Sequence, residues 1–382
     1  MDRKEKLKLL TRAAQYDLCG EGVSSTIEGG AALAPLPRED MSQCLFPAAL
    51  PGGKYASLLK ILQSTYCEND CFYCANRRSR DVQRQELSPD ELAATFDELT
   101  RRRVVEGLFL SSGVCRNTAY SMERMIATVE QVRFKYHFRG YIHLKLLPGC
   151  DPSTVERAVQ IADRVSTNLE APSAERLRFL SGDKTLQTDL LQPLEAAKRF
   201  RDAGLGARAG LTTQFVVGAS GESDMEILAI VEDLYRKMGL ARAFFSAFSP
   251  VVGTPLEHLP PASPVRQHRL YQSDFLLRSY HFTVNDLALD PSGNLCLEMD
   301  PKLAWANLHP QYYPLEVNRA SREELLRVPG IGPRSADRIL SRRGRDPLRS
   351  VQDLRGVGAV AERAAPYVLL SGQRPARQLT FW

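Results

Sequence analysis

Three cysteines within eight residues carry the strongest chemical signal in this 382-residue chain. The segment YCENDCFYC, residues 66–74, spaces its thiols as Cys-x3-Cys-x2-Cys, and the next cysteine along the chain is Cys115. Thiolates are the usual ligands of iron–sulfur clusters, and a cubane cluster takes four ligands. Three local thiolates would leave one iron open for another molecule, much as a catalytic metal site keeps a vacant position.

Two other uses of these cysteines have to be weighed. Structural zinc sites favour paired Cys-x2-4-Cys units with two further ligands, but no Cys or His stands between Cys74 and Cys115. A disulfide framework suits secreted chains, whereas this chain starts with the charged segment MDRKEKLKLL and no apolar signal segment follows it. The spacing therefore favours an iron–sulfur cluster in a reducing, cytoplasmic setting.

The cysteine motif resembles that of the radical S-adenosylmethionine (SAM) superfamily. The resemblance implies that Cys67, Cys71 and Cys74 hold a [4Fe–4S] cluster whose open iron chelates SAM. One electron, from a donor such as flavodoxin or ferredoxin, would then cleave SAM to methionine and a 5′-deoxyadenosyl radical. It also implies that Tyr73 lies beside the adenine of SAM; packing of the loop alone is the alternative role for this ring.

Turns that follow predicted strands match further positions at which the superfamily binds SAM. Small residues after the second strand let the backbone approach the amino group, although the usual turn there is Gly-Gly-Glu. Polar residues after the fourth strand would contact the ribose or the carboxylate, with helix capping as the alternative, and a Gly-x-x-x-Glu turn would line the adenine. These positions are Ser111, Ser112 and Gly113, then Asn168 and Glu170, and finally Gly218.

Apolar strand-like runs alternate with amphipathic helix patterns between residues 54 and 248. Six such alternations predict a parallel sheet with right-handed crossovers. The resemblance implies the α/β fold of the superfamily, a partial (β/α)6 TIM-type barrel, with its chemistry at the carboxyl ends of the strands. The predicted strands are Ser57–Leu62, Gly107–Leu110, Tyr141–Leu147, Arg164–Leu169, Thr212–Val217 and Ala243–Phe248.

A second motif lies beyond the barrel, in LLRVPGIGPRSADRI, residues 325–339. It resembles the helix-hairpin-helix motif of DNA repair and recombination proteins. Gly330 and Gly332 would let backbone N–H groups face a DNA phosphate. Arg334 and Ser335 would reach the same backbone. A degenerate second unit covers residues 351–369, and a helical hairpin used for protein contacts is the alternative.

The charge distribution supports a nucleic-acid partner. The whole chain carries a net charge of +5, while residues 316–382 hold 13 Arg, no Lys and 7 acidic residues, a net charge of +6. A basic appendage on a near-neutral body is typical of proteins that bind nucleic acid through its backbone, without sequence specificity. No apolar run approaches the roughly 18 residues of a membrane span, so we expect no membrane association.

These features divide the chain into five predicted segments. They are an N-terminal helix and extended arm (1–53), the barrel (54–282), an irregular linker that packs on the barrel (283–317), a small all-α helix-hairpin-helix domain (318–370) and a C-terminal tail (371–382). The tail ends in residues 378–382, QLTFW, which resemble the peptide by which bacterial proteins dock on the sliding clamp. Docking of this peptide on the protein's own surface is the alternative.

Taken together, the chain resembles a bacterial family of DNA modification or repair radical SAM proteins with a C-terminal helix-hairpin-helix. The resemblance implies action on a nucleotide of DNA and a uracil-glycosylase-like partner protein. Two alternatives stay open. In the first, the protein is a radical SAM enzyme that acts on RNA. In the second, it is a cluster-bearing DNA-binding sensor without turnover.

Overall fold

A computed structural model of the chain describes residues 3–14, 45–49 and 55–375. Its helices are α1 (Arg3–Ala13), α2 (Pro89–Arg101), α3 (Thr118–Glu130), α4 (Pro152–Ile161), α5 (Ala174–Arg178), α6 (Gln192–Asp202), α7 (Asp224–Asp233), α8 (Pro264–Ser279), α9 (Pro301–Leu308), α10 (Arg322–Arg327), α11 (Pro333–Arg343), α12 (Val351–Gly356) and α13 (Ala361–Ala364). Its strands are β1 (Leu45–Ala49), β2 (Tyr55–Leu62), β3 (Gly107–Ser111), β4 (Tyr141–Lys145), β5 (Arg164–Ser166), β6 (Leu211–Val217), β7 (Arg242–Ala247), β8 (Leu315–Glu316) and β9 (Val368–Leu369).

The larger sheet takes its strands in chain order, from β1 to β7. Strands β2 to β7 run parallel to one another, and β1 pairs antiparallel with β2 at the edge. The six parallel strands form a curled half-barrel, which confirms the predicted fold class. The edge strand β1 was not predicted, because that region was interpreted as an extended arm.

Alternation along the strands determines which side chains the helices cover. In β2 to β4 completely buried residues alternate with slightly exposed ones, as at Leu59 and Ile61, Leu108 and Leu110, and Ile142 and Leu144. The helix starts follow from local capping chemistry. Ser88 and Glu91 form a capping box with Pro89 in the first turn of α2, a pattern typical of a helix start. These features fix the strand ends on which the candidate site is built.

The chain divides into two compact units. One combines the described residues up to Glu222 with Asp233–Ser263, and the other combines Ser223–Glu232 with the chain from Pro264 onward. The second unit contains a compact core of Leu, Val, Ile and Ala side chains, among them the fully buried Leu325 and Leu354. Its short parallel pair, β8 with β9, adds a small sheet to the helical domain that the sequence predicted.

Two stretches of the second unit differ from the sequence-based prediction. The segment predicted as an irregular linker contains α9, which begins at Pro301 with Asp300 as its N-cap. Residues 360–369 were predicted as a helix, but α13 ends at Ala364 and a 3-10 turn leads into β9. Pro366 lies in that turn and has no N–H to continue the helix.

Two features named from the sequence lie outside the described residues. They are the C-terminal peptide 378–382 and most of the N-terminal arm. Within the described part of the chain, the helices include none that combines the length and apolar character needed to cross a membrane.

Candidate functional site

The residues predicted to bind the cluster and SAM lie at one edge of the parallel sheet. Ser111 is the last residue of β3 and is buried. The other positions follow the carboxyl ends of their strands, which meet at the same edge in a sheet of this kind. The cysteine loop follows β2, Ser112 and Gly113 follow β3, Asn168 and Glu170 follow β5, and Gly218 follows β6.

The cysteine loop has little regular structure and is held by its neighbours. The N–H of Glu68 donates to the carbonyl of Val114 at 2.7 Å, and that of Phe72 donates to the carbonyl of Leu180 at 2.8 Å. The Arg84 guanidinium donates to four carbonyls at both ends of the loop, at distances from 2.5 to 3.0 Å. The shape of the loop is therefore set before any ligand binds.

Asp70, between the first two cysteines, organises the middle of the loop. Its carboxylate accepts from Arg77 Nε at 2.8 Å and from Ser79 Oγ at 2.7 Å. The hydrogen bond from Arg77, the largest cause, holds the pKa of Asp70 well below its usual range. The N–H of Asp70 donates in turn to Asp183 Oδ2 at 2.6 Å. The carboxylate thus stays ionised and keeps the loop closed around the thiols.

Burial and nearby charges change the pKa values of two of the three thiols. Burial raises the pKa of Cys71, with a smaller contribution from the charge of Cys67. Burial also raises the pKa of Cys74 to about 12, and the charge of Cys71 adds to this effect. A positive metal centre reverses this preference, because the metal replaces the proton on the coordinating sulfur and the proton is released to solvent. The thiols are free in the structure and suited to a cationic ligand.

The arrangement of the metal-ligating side chains bears on whether the loop could bind a single metal ion. Zn–S bonds of about 2.3 Å place the ligands of one zinc ion about 4 Å apart. Among the described residues, no three Cys, His, Asp or Glu side chains converge on such a single-ion site. Among these residues the structure therefore offers no support for the zinc site that was the alternative from the sequence.

Glu170 lies at the same edge and reaches the loop through a lysine. Its Oε1 accepts from Lys184 Nζ at 2.6 Å, and both side chains are nearly inaccessible, at 6% and 7% exposure. Burial alone would lower the pKa of Lys184, but the charges of Cys71 and Glu170 raise it overall. Burial and the charge of Glu170 raise the pKa of Tyr73. The structure therefore brings Tyr73, Glu170 and Cys71 together.

Gly113 packs against the backbone of the cysteine loop. A Cβ added at this glycine would lie 2.3 Å from the carbonyl oxygen of Tyr66 and 3.2 Å from Cys67 Cβ. Its N–H donates to the carbonyl of Ser64 at 2.8 Å, and this hydrogen bond holds the backbone of Gly113 in position. The missing side chain thus serves the close approach of the loop that carries Cys67.

We expect Gly113→Ala to lower the iron content of the reconstituted protein severalfold, because the new methyl group displaces Tyr66 and Cys67. Iron and sulfide analysis of the purified variant measures this. Gly182→Ala is the matched control, since a Cβ there comes no closer than 3.8 Å to the Phe72 ring. Equal iron in the two variants would contradict the role given to Gly113.

The remaining predicted SAM residues differ in what they contact. Gly218 adopts a φ of +92°, and its N–H donates to the Glu222 carboxylate. The same carboxylate accepts from Ser220 N and Oγ at 3.1 and 2.7 Å. Glu222 therefore folds the Gly-x-x-x-Glu turn onto itself. Asn168 is partly buried beside this turn's strand, and Ser112 is partly exposed.

The predicted hairpin forms as expected. Helix α10 ends at Arg327, and α11 begins at Pro333 with Gly332 as its N-cap. Gly330 has a φ of +85°, and a Cβ there would meet the Val360 carbonyl oxygen at 2.5 Å. The Val360 N–H donates to the Gly330 carbonyl at 2.9 Å. Gly330 therefore lets the two hairpins pack together, a role that was not predicted.

The two side chains predicted to reach DNA lie in different environments. Arg334 is exposed at the start of α11, whereas Ser335 is 5% exposed and faces the second hairpin near Gly358. Several other arginines pair with acids, as Arg342 does with Asp346 and Asp353. In the described part of the second unit, the exposed arginines without an acidic partner are Arg319, Arg334, Arg338, Arg345, Arg349 and Arg374.

A buried lysine supports the hairpin loop. Lys302, in α9, is 8% exposed, and its Nζ donates to the Ile331 carbonyl in the hairpin. Its ammonium also lies over the Tyr280 ring, 4.6 Å from the centroid. Burial lowers the pKa of Lys302 to about 7. This contact orients the loop that carries Gly330 and Gly332.

Three residues of these sites were not singled out from the sequence: Arg84, Lys184 and Lys302. Each is a long basic side chain that donates to carbonyls or to a carboxylate between 4 and 29 residues away along the chain. Lys302 follows the Asp300-Pro301 helix start, which was the available local signal. For Arg84 and Lys184 no local pattern exists, because their partners are set by the tertiary fold.

Two family models match separate parts of the chain. Residues 61–234 match the family model of the Radical SAM superfamily, and residues 312–365 match that of the helix-hairpin-helix motif. No curated protein matches the sequence.

Three solved proteins are among those to which the chain is similar. Methylornithine synthase (PylB) aligns with a TM-score of 0.47 and 19% identity over 57% of this chain and 60% of its own. The FeFe-hydrogenase maturase HydG from Carboxydothermus hydrogenoformans gives 0.45 and 16%, over 56% and 50%. The radical SAM methyltransferase TsrM from Kitasatospora setae gives 0.40 and 13%, over 63% and 44%.

The alignments thus span about half the length of these solved structures. The family matches, in contrast, cover the cysteine loop with most of the half-barrel and both hairpins. The chain therefore contains a radical SAM domain followed by a C-terminal helix-hairpin-helix motif.

Proposed function

We propose that the protein is a radical SAM enzyme that modifies or repairs a nucleotide in DNA. The observation that carries the first part is the cysteine loop, which follows β2 and lies at the carboxyl edge of the half-barrel. Cys67, Cys71 and Cys74 would hold a [4Fe–4S] cluster. When bound, such a cluster supplies one electron to SAM, and the cleavage yields a radical that abstracts hydrogen.

The residues around the loop would bind and orient SAM. Tyr73 and the turn at Gly218 would line the adenine, while the turn at Ser111, Ser112 and Gly113 would offer carbonyls to the amino group. Asn168 and Glu170 would contact the ribose or the carboxylate. Glu170 Oε2 supports this assignment, since it is buried and has no hydrogen-bond partner among the described residues. A buried acceptor of this kind is costly unless a ligand donates to it.

The helix-hairpin-helix unit would supply the contact to DNA. Its hairpin N–H groups and the exposed Arg334 suit a phosphate, a contact that fixes position without reading sequence. A nucleotide must leave the base stack to enter a barrel mouth, so the substrate would be an unstacked or extruded nucleotide. The protein's share of the chemistry is then to position the target and exclude competing hydrogen donors.

The proposed partners follow from the same assignment. A low-potential donor such as flavodoxin or ferredoxin would reduce the cluster, and a uracil-glycosylase-like protein would act on the same DNA. Docking on the sliding clamp through residues 378–382 would raise the effective concentration of the enzyme at newly copied DNA.

Anaerobic incubation of the reconstituted protein with SAM and dithionite tests the proposal, with double-stranded DNA, single-stranded DNA and RNA as parallel substrates. Mass spectrometry of the digested nucleic acid should show a changed nucleotide in DNA, together with transfer of hydrogen to 5′-deoxyadenosine. A changed nucleotide in RNA alone would favour the RNA enzyme. Cluster binding without SAM cleavage would favour the sensor.

A further inference from the structure

A buried ion pair lies against the cysteine loop. Lys184 and Glu170 are 2.6 Å apart, and neither side chain is more than 7% exposed. The loop that carries Lys184 also binds the backbone on both sides of Cys71, through Asp70 N and Phe72 N. The Lys184 ammonium is close enough to the Cys71 thiol for the two groups to interact electrostatically. Desolvating two charges is expensive, so a pair at this position needs a reason beyond stability.

The backbone around the pair is fixed in place from both sides. The loop that carries Lys184 accepts hydrogen bonds from Phe72 N at the Leu180 carbonyl and from Asp70 N at the Asp183 carboxylate, at 2.8 and 2.6 Å. Glu170 has a φ of +65°, a strained conformation for a residue with a side chain. Such strain persists only where the surroundings determine the conformation, and it is common at functional sites.

We propose that Lys184 raises the reduction potential of the cluster held by Cys71, and that Glu170 holds Lys184 in position and moderates its charge. The inference rests on the proposed function, because it requires a cluster on the three cysteines. Reduction adds one electron from a low-potential donor and leaves one more negative charge on the cluster. No bond forms or breaks in this step.

Electrostatics gives the direction of the effect. Hydrogen bonds to the sulfurs and the net charge near a cluster are the means by which proteins tune its potential. An ammonium beside Cys71 favours the reduced, more negative cluster. Low exposure increases the effect, since a charge acts more strongly where water is excluded. The Glu170 carboxylate opposes it and prevents the lysine from turning toward solvent.

Redox titration of the reconstituted protein, followed by EPR of the reduced cluster, tests the inference. In Lys184→Met the ratio of reduced to oxidised cluster at a fixed potential should fall about tenfold, a shift of about 59 mV for one electron. In Glu170→Gln the midpoint potential should rise instead. A residue with a merely structural role would not move the midpoint in opposite directions for the two variants.

Lys198→Met is the matched control. It removes the same charge from an exposed pair with Asp202 on α6 and should leave the midpoint unchanged. Four irons per chain with a wild-type midpoint in Lys184→Met would overturn the inference and leave the proposed function intact. If Lys184→Met does not retain a cluster, the Glu170→Gln variant decides. A midpoint potential in Glu170→Gln that equals or lies below the wild-type value would overturn the inference. Wild-type protein without a cluster would instead sink the proposed function.

Discussion

Replacement of Cys67, Cys71 or Cys74 by Ala should abolish the cluster, from about four irons per chain to none. The loop holds the three thiols in one fixed arrangement, and loss of any one leaves the cubane with only two protein ligands. Anaerobic reconstitution, iron and sulfide analysis and the visible absorption of the cluster measure the loss.

Cys296→Ala is the matched control, because Cys296 lies in the other compact unit, where its thiol contacts Glu298. This variant should keep a full cluster. Retention of four irons by the Cys71 variant would contradict the ligand assignment. Zinc in place of iron in protein purified without air would contradict the cluster itself.

Arg334→Ala should weaken DNA binding severalfold and reduce the salt dependence by about one unit of slope, the effect of one lost phosphate contact. Arg334 is exposed at the N-terminus of α11, next to the hairpin glycines, and its side chain has no acidic partner among the described residues. Fluorescence anisotropy with a labelled duplex at several salt concentrations measures both quantities. The melting temperature should not change.

Arg345→Ala provides the comparison within the same unit. Arg345 is also exposed without an acidic partner, but it follows the far end of α11, roughly 16 Å from the hairpin at 1.5 Å per residue. Its removal should affect binding less than that of Arg334. Equal losses would indicate a diffuse charge effect rather than a hairpin contact. Substitution of Gly330 does not serve this purpose, since a Cβ there breaks the packing of the two hairpins.

Much of the fold could be predicted because local signals agree with the tertiary structure. The capping box at Ser88 and the strand patterns placed the barrel elements within a few residues. Helix α9 was missed although Asp300-Pro301 is a good helix start, because the surrounding composition resembled a loop. The last predicted helix is shorter than expected and ends at Ala364, because Pro366 has no N–H with which to continue it.

The candidate site was predictable only where residues follow one another in sequence. The cysteine spacing identified the cluster loop, and the hairpin glycines identified the second motif. The functions of the glycines were less accessible: Gly113 and Gly330 both make room for another segment of the chain rather than for a ligand alone. Lys184 and Arg84 could not be found, because no sequence pattern indicates that Lys184 pairs with Glu170 or that Arg84 donates to carbonyls of the cysteine loop.

The central claim is that the cysteine loop supports reductive cleavage of SAM. The most direct measurement is 5′-deoxyadenosine formed by the anaerobically reconstituted protein with SAM and dithionite, beside the Cys71→Ala variant treated in the same way. We predict accumulation of 5′-deoxyadenosine and methionine with the wild-type protein and none with the variant. A wild-type protein that carries a full, reducible cluster and binds SAM, yet forms no 5′-deoxyadenosine with or without DNA, would contradict the claim.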